Sequence, residues 1–293
     1  TMRKGKDMDY SSLWDVRIFL DLFLGGIGVG IFLFMAFGYG ERDARRLSTL
    51  RIGAIASLAL VGAGALCLVS ELGRPFGILS TVTGFNATSV TSWGGVLQVA
   101  FLLVDAALCA MLFVRKGALL DGVAFKVVGA AGVGFAALVL AYHGLVLNSV
   151  GRGLWADALI IPLFMTSSVL AGGAAAAAIG RLAGADASAG EAKFVSASSL
   201  AVAVLMLAFG FTVAPAGADA AFCYDVMMAQ SGMVWWLVAF GVGAVVPLVL
   251  SVVALAKPRA QGTALFLVIA VCALAGSFAC KFLLASTAQI LIG

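Results

Sequence analysis

The sequence contains very little charge for its length. Only 11% of its 293 residues are charged and 63% are hydrophobic, whereas a globular domain is about a quarter charged and about half apolar. A soluble domain of this size cannot bury so much apolar surface. The shortage of charge therefore excludes an ordinary soluble protein.

Residues that bind redox centres are also scarce. Histidine occurs once, as His143, whereas a b-type haem held between helices usually needs paired histidines. The five cysteines include no C-x-x-C pair, so they indicate neither a disulfide framework nor a zinc or iron-sulfur site. The sequence also lacks a phosphate-binding loop and a basic arm for nucleic acid. We therefore expect no haem, iron-sulfur cluster or other metal in this chain, and no nucleic-acid partner.

Long apolar runs are what the sequence does contain. Stretches of about 20 apolar residues, each enough for one helical crossing, alternate with short segments that hold most of the charges. The first run is too long for a signal peptide and lacks a clear cleavage site, so we expect a retained first helix. The sequence predicts one all-α integral membrane domain over residues 1–293, in the bilayer, with eight crossings at 18–40, 52–70, 92–114, 127–147, 158–179, 194–215, 235–256 and 263–292.

Loop charges predict the orientation of these helices. Eleven Lys or Arg lie in or beside the loops that follow odd-numbered helices, while the three other interhelical loops carry only Arg74 and Arg152. Because cytoplasmic loops carry the positive excess, we expect both termini on the outer face. The longer outer loops, 71–91 and 216–234, are where we expect a partner to dock. Tryptophans favour membrane interfaces and agree with this orientation, since each precedes or opens an odd-numbered helix: Trp14, Trp93, Trp155, Trp235 and Trp236.

A weak internal duplication divides the chain into two halves. Leu22-Phe23-Leu24 and the Gly-rich stretch of helix 1 resemble Leu163-Phe164-Met165 and the Ala171-Gly172-Gly173-Ala174 stretch of helix 5. Two four-helix bundles of the same orientation would fit a parallel repeat. The small residues have a second explanation, which is close helix packing.

Charged residues inside spanning helices need an explanation, because each costs roughly 2.5 to 3.5 kcal/mol on insertion. Asp21 lies about one turn inside helix 1 and four residues after Arg17, so both side chains share a helical face. Asp105 in helix 3 and Lys281 in helix 8 lie deeper. Those two residues either pair with each other or form part of a proton path.

The outer end of helix 4 carries Tyr142 and His143 at a depth similar to that of Asp21. A hydroxyl or an imidazole converging with a carboxylate could hold two oxygens of a ring-shaped ligand. His143 could equally be a packed, hydrogen-bonded histidine. Glu71 and Arg74 flank the turn after helix 2, where Pro75 stops the helix, and would form an ion pair in the loop.

Several segments resemble the signature of the polysulfide reductase membrane subunit family, NrfD/PsrC. The family pattern is an acidic-Leu-Gly-Arg-Pro segment, then Asn, then a Ser-x-x-Ser-Trp-Gly helix start, followed later by Tyr-x-Gly-Leu. The matching segments here are Glu71-Leu72-Gly73-Arg74-Pro75-Phe76, Phe85-Asn86, Ser89-Val90-Thr91-Ser92-Trp93-Gly94 and Tyr142-His143-Gly144-Leu145. The close of the chain, Lys281-Phe282 through Gln289, is similar to the family's Arg-Tyr through Gly-Gln, with Lys281 for Arg and Ala288 for Gly.

The resemblance implies a haem-free, quinol-binding subunit in the cytoplasmic (inner) membrane of a prokaryote. Its cofactor would be a quinone, with menaquinone favoured over ubiquinone. Electrons would pass to a ferredoxin-like iron-sulfur subunit on the outer face, and then to a catalytic subunit of the molybdopterin type. Glu71, Arg74 and Trp93 would contact the partner.

The resemblance also suggests roles for the candidate residues. The quinone headgroup would lie among Arg17, Asp21, Tyr142 and His143, and either Asp21 or His143 would accept its protons. Arg17 would then tune the acidity of Asp21, whereas the alternative for this pair is an interfacial ion pair. Two other functions stay open, a purely structural anchor and a secondary transporter, the latter suggested by Pro247 within helix 7.

Overall fold

A computed structural model of the chain describes residues 16–36, 44–71, 85–114, 122–185, 189–257 and 261–289. Within these ranges the secondary structure is helical, with no strand, and eight helices are long and apolar enough to cross a membrane. The all-α class and the predicted number of crossings are therefore confirmed. The helices are α1 (Val16–Ala36), α2 (Ala44–Glu71), α3 (Val90–Val114), α4 (Val123–Val150), α5 (Ile160–Leu182), α6 (Ala189–Thr212), α7 (Ala218–Ala256) and α8 (Thr263–Thr287).

Helix α7 is much longer than the predicted crossing at 235–256. The predicted outer loop 216–234 is wrong, because a helix occupies Ala218–Met233, where polar residues interrupt the apolar run. At 1.5 Å per residue, the 39 residues of α7 would extend about 58 Å, twice the roughly 30 Å of a bilayer core. Ser231 leaves the helical conformation, with φ −135° and ψ 15°, and kinks α7 just before its apolar part.

A π-helical segment, Val234–Val245, follows this kink and leads directly to Pro247. Proline has no N–H with which to continue an α-helical ladder. Here the π-helical segment ends just before Pro247, and an α-helix continues from Val246 to Ala256. Pro247 therefore does not interrupt α7, although the sequence suggested that it would.

Glycines bring α1 and α5 into close contact. A side chain at Gly30 would collide with the backbone carbonyl of Ser168, and one at Gly172 would collide with the backbone of Ile27 and Ile31. Membrane helices associate through such van der Waals contacts, because lipid provides no hydrophobic drive for association. Close helix packing is thus confirmed as a role of these small residues.

The helices pack in a definite order. Helix α1 contacts α2 and α4, and α2 and α4 both contact α3, while α5 to α8 form a similar group. The two groups share a large interface, in which α5 contacts α1 and α4. The grouping into two separate four-helix bundles and the outward placement of the termini both stay predictions.

The tryptophans do not all lie at a lipid interface as expected. Trp155 and Trp235 are fully buried, and the Trp155 indole donates a hydrogen bond of 2.9 Å to the Leu284 carbonyl. Trp235 also does not open its helix, since the 16 residues of Ala218–Met233 precede it. Trp93 and Trp236 are exposed and suit the predicted position, and Trp14 lies outside the described residues.

A buried ion pair joins two helices at the end of the molecule predicted to be cytoplasmic. The Arg181 guanidinium in α5 contacts the Glu191 carboxylate in α6, and both side chains are buried. The guanidinium also lies 5.0 Å from the centre of the Phe266 ring in α8. This cluster ties three helices of the second group together.

Candidate functional site

The first turns of α1 contain an irregularity at the position of Asp21. Residues Asp21–Gly25 form a π-helical turn, and a regular α-helix resumes at Gly26. Such single π turns occur frequently at functional sites, because the widened turn redirects side chains and backbone groups. The Asp21 side chain is buried, with only 2% of its surface exposed.

The carboxylate of Asp21 points at α3 rather than at Arg17. Gln98 Nε2 donates a hydrogen bond of 2.7 Å to Asp21 Oδ1, while Arg17 donates one of 2.8 Å to the Ser70 carbonyl at the end of α2. The alternative in which Arg17 and Asp21 form an interfacial ion pair, which the four-residue spacing suggested, is therefore wrong. The spacing rule assumes regular α-helical geometry, and the π turn that begins at Asp21 breaks it.

His143 faces Asp21 across Gly25. An ideal Cβ on Gly25 would lie 3.4 Å from His143 Cε1 and 3.6 Å from Asp21 Oδ1, so the imidazole and the carboxylate flank the same glycine. His143 is fully buried, and neither ring nitrogen has a hydrogen-bond partner among the described residues. Buried polar groups are normally hydrogen-bonded, so these two nitrogens need a partner that the described residues do not supply.

Tyr142 forms another wall of this site. Its side chain is buried, and its ring packs directly on Gly94 of α3, where any Cβ would collide with it. The ring centres of Tyr142 and His143 are 6.0 Å apart. The structure thus brings Asp21, Tyr142 and His143 together from α1 and α4.

Lys281 of α8 belongs to the same cluster. Its fully buried ammonium donates hydrogen bonds of 2.9 Å to the Leu22 carbonyl and 2.7 Å to Ser168 Oγ, and lies 5.4 Å from the centre of the Phe164 ring. Leu22 is part of the π turn, so Lys281 holds that turn against α5 and α8. Its positive charge also acts on the Asp21 carboxylate.

Asp105 is a separate buried carboxyl group. Its Oδ2 accepts a hydrogen bond of 2.7 Å from Ser57 Oγ of α2, and its Oδ1 has no hydrogen-bond partner in the described part of the chain. The alternative in which Asp105 pairs with Lys281 is therefore wrong. Asp105 follows Gln98 by seven residues, which is about 10 Å, or two turns, along the same buried face of α3.

The predicted partner-contact residues are only partly described. Glu71 is the last residue of α2, and its side chain and the whole of Arg74 lie outside the described residues. Trp93 is exposed on the first turn of α3, where its indole donates a 3.0 Å hydrogen bond to the Ala87 carbonyl and meets the Phe85 ring edge-on. Trp93 is thus available at the surface.

Sequence reasoning missed Gln98, Ser168 and Gly64, which complete the site. Gln98 could have been noticed as an amide within the apolar run of α3, seven residues before Asp105. Ser168 and Gly64 give no such signal, because serine and glycine are common in membrane helices. An ideal Cβ on Gly64 would lie 2.8 Å from Asp21 Oδ1, so this glycine makes room for the carboxylate.

The cluster combines three kinds of chemistry in a buried setting. Asp21 can accept a proton, the His143 nitrogens, which have no partner in the described ranges, can accept or donate one, and Lys281 supplies a positive charge when it is protonated. Such an arrangement suits a small ligand with two oxygens that gains or loses protons.

Comparison with known proteins shows a family for the chain. The family model described as polysulphide reductase, NrfD, matches residues 5–293, which is nearly the whole chain. No curated protein matches the sequence.

Proposed function

This chain belongs to the polysulphide reductase NrfD family, and from that premise we propose that it oxidises quinol for a partner iron-sulfur subunit. The family implies a multi-pass membrane subunit of a quinone-linked oxidoreductase complex. The finer assignment, which is quinol oxidation at the Asp21–His143 site, is supported chiefly by one observation. His143 is fully buried, neither of its nitrogens has a partner among residues that the structure describes, and it flanks Gly25 together with a buried carboxylate.

The residues present fit a quinol headgroup. A quinol carries two hydroxyl groups on opposite sides of a flat ring, and its oxidation releases two protons and two electrons. Asp21 would accept one proton, and His143 would hydrogen-bond the second hydroxyl and accept the other. Gln98 keeps Asp21 oriented through its 2.7 Å hydrogen bond, and the Tyr142 ring limits access on the α3 side.

Lys281 has an electrostatic role in this proposal. A buried carboxylate is costly without a nearby positive charge. The ammonium of Lys281 offsets that cost while its own donors stay bound to Leu22 and Ser168. The Gln98 hydrogen bond and this charge both favour the ionised form of Asp21, which can take a proton.

Electrons would leave the membrane on the side where the site lies. The oxidant would be an iron-sulfur cluster in a ferredoxin-like subunit docked on the outer face, which accepts the two electrons one at a time. That subunit would serve a catalytic subunit of the molybdopterin type. Menaquinol is the preferred substrate in this proposal, and the cytoplasmic membrane of a prokaryote is its setting.

Proton movement along α3 is the second part of the proposal. Gln98 and Asp105 lie on one buried face of α3, and Ser57 of α2 extends the polar line at the level of Asp105. Asp105→Asn should leave quinol oxidation intact but reduce proton movement across the membrane of liposomes that contain the complex. Equal proton movement with Asp105→Asn would remove Asp105 from the path.

The quinol reaction is tested by the turnover of the purified complex. Asp21→Asn and His143→Gln should each lower quinol-dependent reduction of the partner by about 10²-fold or more, the usual contribution of a general acid or base. Ser286→Ala is the matched control, because among the described residues this half-buried hydroxyl of α8 bonds only carbonyls of its own helix. Size-exclusion chromatography would show that each variant still assembles.

The variant that combines Asp21→Asn with His143→Gln is the most decisive test. Normal turnover with both Asp21 and His143 replaced would contradict the proposal. Absence of any quinone binding by the intact complex would favour a purely structural anchor instead.

A further inference from the structure

A small cavity lies in the second group of helices, away from the Asp21–His143 site. Helices α5, α6, α7 and α8 enclose it, and its walls include Ser167, Gly243, Gly276, Ser277 and Cys280. Gly243, in the π-helical segment of α7, and Gly276 of α8 touch backbone to backbone. A cavity lined only by small apolar residues would be a packing defect. The polar atoms in the wall therefore determine whether the cavity can bind a ligand.

Ser277 is the polar group that needs a partner. Its side chain is buried, with 4% of its surface exposed, and Oγ has no hydrogen-bond partner among the described residues. Ser167, in the same wall, differs because its hydroxyl donates a 3.1 Å hydrogen bond to the Phe164 carbonyl of its own helix. A buried hydroxyl without a partner is unfavourable and rare.

We propose that this cavity is a binding site for internal water, with Ser277 as its principal anchor. A buried water usually makes about three hydrogen bonds. The Ser277 hydroxyl can donate one bond and accept another, the Ser167 oxygen has a free lone pair, and the Cys280 thiol offers a weak donor. The cavity has room for about one such molecule.

The proposed water site lies next to residues that adjoin Lys281. Ser277 precedes Lys281 by one helical turn of α8, and Cys280 is the immediate neighbour of Lys281. Ser167 likewise adjoins Ser168, which accepts a hydrogen bond from Lys281. The cavity is therefore lined by the immediate neighbours of Lys281 and of its partner Ser168, so the water would place a polar molecule near a buried amino group. The water would bind there whether or not the chain oxidises quinol.

The sign of a stability change tests the proposal. With water present, Ser277→Ala removes a hydrogen-bond partner of the water, and the midpoint temperature of unfolding should fall by about 2 to 4 °C. In a dry cavity the same change removes an unpartnered hydroxyl, so the midpoint should rise or stay constant. Ser286→Ala is the control and should leave the midpoint unchanged, because this half-buried hydroxyl bonds only carbonyls of its own helix in the part of the chain that the structure describes.

A second measurement uses the unaltered protein. Cys280 lines the cavity, and its S–H infrared band can be identified by its loss in Cys280→Ala. If water enters, this band should shift to the S–D position soon after transfer of the folded complex to D₂O. A band that persists for hours, or a midpoint temperature that does not fall in Ser277→Ala, would overturn the proposal.

Discussion

Gly64 of α2 offers a way to displace the Asp21 carboxylate without touching any polar group of the site. In Gly64→Ala the new Cβ would lie 2.8 Å from Asp21 Oδ1 and 3.2 Å from Asp21 Cα. Ordinary contacts of a Cβ begin at 3.4 Å, so the carboxylate must move by about 0.6 Å. The 2.7 Å hydrogen bond from Gln98 cannot survive such a movement unchanged.

Two effects of the Gly64→Ala change can be estimated. Overpacking costs about 1 to 3 kcal/mol, and replacing a glycine within a helix returns roughly 0.5 to 1 kcal/mol. The net loss of stability should therefore be at most about 2.5 kcal/mol, and the complex should still assemble. Because misplacing a reacting group by about 1 Å can lower a rate 10²-fold, we expect turnover to fall by roughly 10-fold or more.

The control lies on the same helix. Nothing lies within 4 Å of an ideal Cβ on Gly62, so Gly62→Ala should slightly raise thermal stability and leave turnover unchanged. The assay is quinol-dependent reduction of the partner by each purified complex, with unfolding midpoints measured in parallel. Equal turnover of the Gly64→Ala and Gly62→Ala complexes would show that the position of Asp21 does not matter, and would refute the reasoning.

Three further changes test the packing of the fold, each by thermal unfolding of the purified protein. Gly172→Ala should lower stability by about 1 to 3 kcal/mol, because its Cβ meets the α1 backbone, and an unchanged midpoint would contradict the close α1–α5 contact. Arg181→Met should cost about 3 to 5 kcal/mol, because it leaves the Glu191 charge buried. Adding Glu191→Leu to that variant should recover most of the loss, and no recovery would speak against the ion pair. Trp155→Phe should cost about 1 to 3 kcal/mol by leaving the Leu284 carbonyl without its donor, and a smaller effect would make that hydrogen bond unimportant.

The sequence predicted the membrane class and the eight crossings because both depend on apolar run length. Run length fails where a helix continues into polar residues, as Ala218–Met233 does before the apolar part of α7. Tryptophan placement was only partly informative, since an indole can leave the interface when a buried acceptor is present, as Leu284 provides for Trp155.

The sequence predicted several residues of the candidate site, but it did not predict the contacts between them. Burial of a charge or a histidine in a spanning helix is expensive, so Asp21, His143 and Lys281 stood out in the sequence. Their partners could not be predicted, because the π turn at Asp21–Gly25 changes the helical spacing on which pairing rules depend. Gln98 and Ser168 become meaningful only when other helices bring Asp21 and Lys281 to them.

The central claim is that a quinol headgroup binds between α1 and α4, beside Asp21 and His143. Photolabelling of the intact complex with a quinone that carries a reactive azide on its ring tests this most directly, with labelled peptides identified by mass spectrometry. We expect label in the Asp21–Gly25 turn of α1 and near Tyr142 in α4, reduced by an excess of unlabelled quinone. Competed label confined to α5 to α8, or none in this chain, would contradict it.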